Sequence, residues 1–362
     1  MKLLATLALC LCFSIGPVLC GNEFNCSPLP PLAHPAQSVQ ELRPQDIKVV
    51  MAFGDSITAG FAAMGFNINL YKDLLEYRGI SFSIGGDPNS TTIPSFLKHY
   101  NPDLIGASLG SHVGEFCSGR TCFPKYYVPK QDVFNAAQTG APAVVLKGVQ
   151  LPYLLDQLRN NPSVDMKQDW KLLTILIGYN DLCDKCSGIN ITIEQLESDL
   201  RGIMEEIRSD IPRVFINLVE LFNISLVYQK NKHKDYCLNI HKLFHMDCQC
   251  LWTGTDEDRQ MMDDYAMKFN DVMRKIAKEY HTKNYTDFAV VSQPALSNTE
   301  LDHIPDDFFS NLDCFHPSLK AHQAFAKALW NNMLTPSMNK STGFDPNAPF
   351  VCPTKETLLY TY

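Results

Sequence analysis

Four short stretches place reactive or donor residues where the chain should leave a strand or enter a helix. The first is Gly54-Asp55-Ser56-Ile57, directly after the apolar run Ile47 to Phe53. A serine at such a turn presents its hydroxyl to a crevice, with its backbone N–H near a helix N-terminus. The same position also suits a plain N-cap. The second is Gly86, after the run Ile80 to Ile84, where glycine lets backbone approach a ligand or simply makes a turn. The third is Gly178-Tyr179-Asn180-Asp181, closing the run Trp170 to Ile177. An asparagine there can donate an N–H to a developing oxyanion, or close the strand as an Asx turn. The fourth is Asp313-Cys314-Phe315-His316-Pro317. Its D-x-x-H spacing lets Asp313 reach the imidazole of His316, hold the proton on Nδ1 and leave Nε2 to take one from Ser56; the plainer reading is a helix start. Together they predict acyl transfer: Ser56 as nucleophile, His316 as base and Asp313 as its orienting acid. The N–H groups of Ser56 and Gly86 and the Asn180 side chain would form the oxyanion hole. This chemistry calls for no metal and no cofactor.

Other residues have quieter readings. Gly106-Ala107-Ser108-Leu109-Gly110 matches a G-x-S-x-G elbow, but Asn101-Pro102-Asp103 before it and Ser111-His112-Val113-Gly114 after it lack the required strand and helix. His322 lies six residues beyond His316 on one helix and points elsewhere. His99, His233, His241 and His303 sit in polar stretches and are expected at the surface, while His112 could line the pocket. Phe308-Phe309 reads as core, with an acyl site as the alternative.

The elements that must position these residues follow from hydrophobic patterning. Ile47–Phe53, Ile80–Ile84, Trp170–Ile177, Arg213–Val219 and Phe288–Ser292 read as short buried strands. Helices are expected over 62–78, parts of 131–161, 193–210, 256–281 and 317–333, with Pro317 in the first turn of the last. The alternation predicts an α/β architecture, a parallel sheet with helices on both faces. Residues 100–130 read as a long excursion, and 223–255, with three cysteines, as a disulfide-tied insertion.

Composition narrows the function classes. The 362 residues carry a formal net charge of -8 and no basic stripe with interleaved aromatics, which excludes a nucleic-acid binder and electrostatic docking on anionic membranes. Lys2 and the apolar run Leu3 to Leu19 predict a signal peptide over 1–20, followed by an irregular segment over 21–45 and one domain over 46–362. The C-terminus carries no apolar anchor tail. Ten of the 13 cysteines lie beyond the signal, and in a secreted, extracellular protein they predict up to five disulfides. Cys183-x-x-Cys186 has no second pair at zinc spacing. Sequons at Asn25, Asn89, Asn190, Asn223, Asn284 and Asn339 are glycan candidates.

The four blocks, in this order, resemble the GDSL/SGNH hydrolases, whose blocks supply Ser, Gly, Asn and His in turn; here they map to Ser56, Gly86, Asn180 and His316. The stretches MAFGDSITAG (51–60), SFSIGGD (81–87), NPDLIGASLG (101–110), WKLLTILIGYNDLC (170–183), DCFHPSLKAHQAFAKALWNNML (313–334) and FVCPTKETLLYT (350–361) are similar to the animal phospholipase B type, as a single repeat without its anchor. The resemblance implies the SGNH (flavodoxin-like) three-layer sandwich. It also implies hydrolysis of phospholipids and lysophospholipids, with transient contact with lipid aggregates or a membrane surface. A short-chain or carbohydrate-ester esterase and a non-catalytic lipid-binding protein are the alternatives. Tyr179 stands where the family pattern often has glycine.

Overall fold

The computed structural model describes residues 24–65, 74–243, 248–345 and 347–362. The expected signal peptide lies outside them. Six strands occur among them: β1 (Ile47–Gly54), β2 (Leu75–Glu76), β3 (His112–Val113), β4 (Trp170–Leu176), β5 (Val214–Val219) and β6 (Phe288–Gln293). Four form one sheet in the order β1-β4-β5-β6, every neighbour parallel. Strands covered on both faces need apolar side chains at successive positions, and β4 and β5 are buried along their whole length. Lys171 is tolerated inside β4 because its ammonium donates to the carbonyls of Met166, Asp169 and Pro212 at the sheet's edge.

Helices cover both faces of this α/β sandwich. One layer holds Leu151–Asn160, Ile193–Asp210 and Asp256–Lys283; the other holds Ile93–Tyr100 and Leu319–Met333. The long helix starts in a capping box, with Thr255 and Asp258 satisfying each other's backbone N–H, and stops at Asn284 in the left-handed region. The last helix is capped by Ser318, so Pro317 lies just before it rather than in its first turn. Among the described residues no helix is long and apolar enough to cross a membrane.

Three expected elements differ. Ile80–Ile84 is no strand: Arg78–Ile80 is a single 3-10 turn, and the N–H groups of Ile84 and Gly85 both return to the Ser81 carbonyl. Its alternating Phe82 and Ile84 are buried, but the free edge of β1 is already occupied. Val50 and Ala52 donate there to the carbonyls of Ile105 and Phe134. The helix expected over 62–78 is absent at its described ends, where Ala62 and Gly65 are in turns and Leu75–Glu76 is β2; residues 66–73 lie outside the described residues. In 131–161 helix covers the end of the short turn Pro129–Asp132 and then Leu146 to Asn160, while most of 133–145 is irregular chain that reaches the site.

All ten cysteines pair: Cys26–Cys352, Cys117–Cys122, Cys183–Cys248, Cys186–Cys250 and Cys237–Cys314. The insertion is tied to the rest of the chain, through the helix Tyr179–Cys186 and the 313–316 loop, rather than within itself. Cys183 and Cys186 are thus spent on disulfides.

Candidate active site

Ser56 opens a single helical turn, Ser56–Ala59, directly after β1. The turn is tight because of Gly54: a Cβ there would lie 2.3 Å from Thr58 Oγ1 and 2.8 Å from the Leu176 carbonyl. Gln150, at the end of a π-helical turn, clamps the same glycine, accepting from its N–H at 3.0 Å and donating to its carbonyl at 2.7 Å. Asp55 caps the turn, accepting the Ile57 N–H at 3.0 Å. Its other oxygen, Oδ2, is buried without a partner, and burial pushes the carboxyl up to about 7 against the pull of the Ile57 N–H and of His316.

Across the cleft the D-x-x-H stretch folds on itself. Asp313 Oδ1 accepts the N–H groups of Phe315 (2.9 Å) and His316 (3.0 Å), while Oδ2 lies 2.6 Å from His316 Nδ1. His316 Nε2 lies 2.7 Å from Ser56 Oγ. The three side chains are 7%, 5% and 3% exposed in the order Ser56, Asp313, His316, so this relay is nearly dry. Burial pushes the Asp313 carboxyl up, but the His316 ring and the two N–H donors outweigh it and hold the group below its ordinary range. Asp313 therefore stays ionised and fixes the Nδ1–H tautomer. Phe61 packs edge-on against His316 at 4.9 Å.

The insertion braces this loop. Asn231, Tyr236 and His241 donate to the carbonyls of Cys314, Leu312 and Asp313, and Cys237–Cys314 locks the same turn. His241 is thus not at the surface. It is 2% exposed and stacked on Trp252, a role that no local pattern signals.

The triad opens into a cavity of about 490 Å³. Asn180 lines it, one side-chain N–H donating to Ala141 O at 3.1 Å, which leaves a second. Gly86 does not. Its N–H donates to the Ser108 carbonyl at 2.8 Å, and the packing of Ala107 against it explains why it must be glycine. The oxyanion assignment of Gly86 is therefore corrected. Gly140 instead lines the cavity with Ser56 and Asn180, has φ +83°, and its N–H donates to no acceptor among the described residues. Its turn is pinned by Cys117 N–H to Thr139 O and by Ala143 N–H to the Asp181 carboxylate, both at 2.8 Å. The available signal was Gly140-Ala141-Pro142, which interrupts the helical pattern. Tyr179 forms part of the cavity wall, its hydroxyl accepting the Phe222 N–H at 2.9 Å.

The remaining candidates lie elsewhere. Ser108 is fully buried and donates to Arg78 O. His112 bonds Asp132 at 2.8 Å and does not line the cavity. His322 is buried, its Nδ1 accepting from Phe82 N–H, and burial drives it down to about 3. Phe308 and Phe309 are core, Phe308 packing on Phe325 and Phe344.

The profile of the GDSL-like Lipase/Acylhydrolase family matches residues 50–329. The chain belongs to this family. The family is one of lipases and acylhydrolases. It is 33% identical over 350 residues to rat "Phospholipase B1, membrane-associated", covering 93% of this chain and 23% of that one. To the human protein of the same name it is 33% identical over 357 residues, covering 94% and 23%. The chain thus spans under a quarter of the length of these relatives. A crystal structure of a putative GDSL-like lipase from Parabacteroides merdae aligns with TM-score 0.42 at 17% identity, over 82% of this chain and 98% of that one.

Proposed function

We propose that the protein is an exported hydrolase that releases fatty acids from phospholipids and lysophospholipids through an acyl-enzyme on Ser56. The observation that carries the mechanism is the unbroken relay Ser56–His316–Asp313 at 2.7 and 2.6 Å, opening into a cavity that Gly140 and Asn180 also line. In the first half-reaction Ser56 Oγ bonds to the acyl carbon and its proton passes to His316 Nε2. The oxyanion is held by the N–H groups of Ser56 and Gly140 and by Asn180. Collapse breaks the ester bond, and the leaving alcohol takes the proton from Nε2. Water then attacks the acyl-enzyme, giving its proton to His316, and the fatty acid departs as Ser56 is restored.

The names of the relatives support a phospholipid substrate. The cavity suits it: Phe116, Phe222, Ile224, Val227 and Phe315 offer apolar surface for an acyl chain, beside Asn180, Ser187 and Gln249. Export is supported by the five disulfides, which persist in oxidising compartments. The test is fatty-acid release from labelled phosphatidylcholine and its lysophospholipid, with Ser56→Ala beside the wild type. Release abolished in the variant is the expected result. Cleavage of short esters alone replaces the lipid reading with a short-chain esterase. Lipid binding without turnover, equal in both proteins, replaces it with a non-catalytic carrier.

A further inference from the structure

The small antiparallel pair of β2 and β3, brought together from distant parts of the chain, is inside-out. Charged residues on and beside it point inward: Glu76, Arg78, Glu115 and Asp132 are buried, with Arg78 2.7 Å from Glu76 and 2.9 Å from Asp132. His112 joins them through Asp132, and Glu115 N–H donates to Glu76 at 3.0 Å. Its apolar residues point outward: Leu74 is 37% exposed, Val113 59% and Phe116 38%. A strand pair bathed only in water carries the opposite pattern, polar out and apolar in. The inversion is held by the ion pairs of Arg78 with Glu76 and Asp132 and by the His112–Asp132 hydrogen bond, while Glu115 Oε1 is buried with no hydrogen-bond partner among the described residues.

The patch is continuous with the catalytic cavity. Gly114 donates to the Leu74 carbonyl at 3.1 Å, and the Phe116 ring lies over Gly114, where a Cβ would meet it at 2.7 Å. Phe116 also lines the cavity and stands edge-on to Phe61 at 5.3 Å, and Phe61 in turn packs on His316. From Ser111 to Gly119 the one carboxylate, Glu115, is buried, and there is no lysine or arginine.

We propose that Leu74, Val113 and Phe116 dock the enzyme on the uncharged or zwitterionic surface of a lipid aggregate, setting the cavity mouth against it. This inference rests on the lipid-hydrolase reading above and names the surface that reading requires. An acyl chain leaving an aggregate for Ser56 must otherwise cross water, and Phe116 belongs to both the patch and the cavity wall. Exposed apolar groups beside a cleft gain free energy when a lipid surface covers them. The lack of lysine and arginine from Ser111 to Gly119 and the net charge of -8 select zwitterionic over anionic lipid.

The test uses phosphatidylcholine vesicles and the full chain. In the Ser56→Ala background, which cannot consume the vesicle, Val113→Asp is expected to weaken co-sedimentation by about tenfold or more, the worth of one lost apolar insertion. With Ser56 intact, the same substitution should lower turnover of vesicle phosphatidylcholine comparably and leave turnover of a soluble p-nitrophenyl ester unchanged. Val113→Trp in the Ser56→Ala background should show a blue-shifted emission on vesicles, quenched by brominated phosphatidylcholine. Vesicle binding and turnover unchanged in Val113→Asp, or an indole emission from Val113→Trp that ignores vesicles, overturns the proposal. So does equal loss on the soluble ester, which would make the strand pair a support for the triad. A dimer that Val113→Asp dissociates while vesicle binding persists also overturns it, assigning the patch to a second copy of the chain. If the wild type cleaves neither substrate yet Ser56→Ala binds vesicles through Val113, docking stands and the hydrolase reading fails.

Discussion

Asn180→Ala separates transition-state stabilisation from binding. In the native protein one N–H of the carboxamide is committed to Ala141 O at 3.1 Å, which orients the other toward the cavity that Ser56 and Gly140 share. A ground-state carbonyl attracts such a donor weakly and an oxyanion strongly, so the loss should fall on kcat and leave KM nearly unchanged. One preorganised oxyanion donor is worth ~3–4 kcal/mol, or about 10²- to 10³-fold in kcat. The structural cost is smaller. One neutral hydrogen bond to Ala141 contributes about 1 kcal/mol, a drop of a few degrees in Tm for a chain of this size. Steady-state kinetics on a soluble acyl ester beside a thermal melt gives both numbers. Asn180→Asp should lose more, because a carboxylate repels the developing charge and cannot donate to Ala141. A fall in kcat under about tenfold for Asn180→Ala would leave the oxyanion to Ser56 and Gly140 alone and refute this role.

Four further outcomes follow from particular contacts. Gly140→Ala places a side chain at φ +83° with its nearest neighbour 3.7 Å away, so it should tilt the N–H and lower kcat more than Tm. Gly86→Ala, whose Cβ would meet Ala107 at 2.6 Å, should lower Tm more than kcat, and the reverse pattern would restore Gly86 as the oxyanion donor. Asp55→Asn keeps an acceptor for the Ile57 N–H but cannot ionise. Because burial raises Asp55 from 3.8 to about 7, the wild type loses stability from this group as pH rises through that window. The stability of Asp55→Asn relative to wild type should therefore grow from pH 5 to pH 8 in denaturant titrations; a flat difference counts against the buried proton. Replacing Cys237 and Cys314 together by serine opens a loop of sequence separation 77. The chain-entropy estimate for that length is about 4–5 kcal/mol at most, and Tm and kcat should fall together because Asp313 loses its brace; calorimetry and kinetics equal to wild type would remove the insertion from the site.

Much of the site was legible because its chemistry is local. Asp313 and His316 are three residues apart, so one turn brings carboxylate, imidazole and two N–H donors together whatever the rest of the chain does. Ser56 and Asn180 follow long apolar runs, and burial on both faces of a parallel sheet leaves a continuous hydrophobic record in β1 and β4. The false strand at Ile80–Ile84 has a physical cause. Burial is continuous from Ser81 to Ile84 in a compact turn, and hydrogen-bond partners, which define a strand, leave no mark on the residues themselves.

The amino-acid sequence by itself determined the candidate side chains, their order, the parallel sheet that carries Ser56 and Asn180, and the even set of cysteines. Tertiary structure alone decided which glycine lines the cavity beside Ser56. Gly86 and Gly140 both end turns, and only the packing of Ser108 O against one of them reveals whose N–H is spent. It likewise decided that His241 and Cys237 brace Asp313 from a distant insertion, and that a non-local strand pair beside buried charges turns its apolar residues outward. Those outcomes depend on which polar groups find partners across the fold, and such pairing is a property of three-dimensional neighbours, not of residue type or spacing.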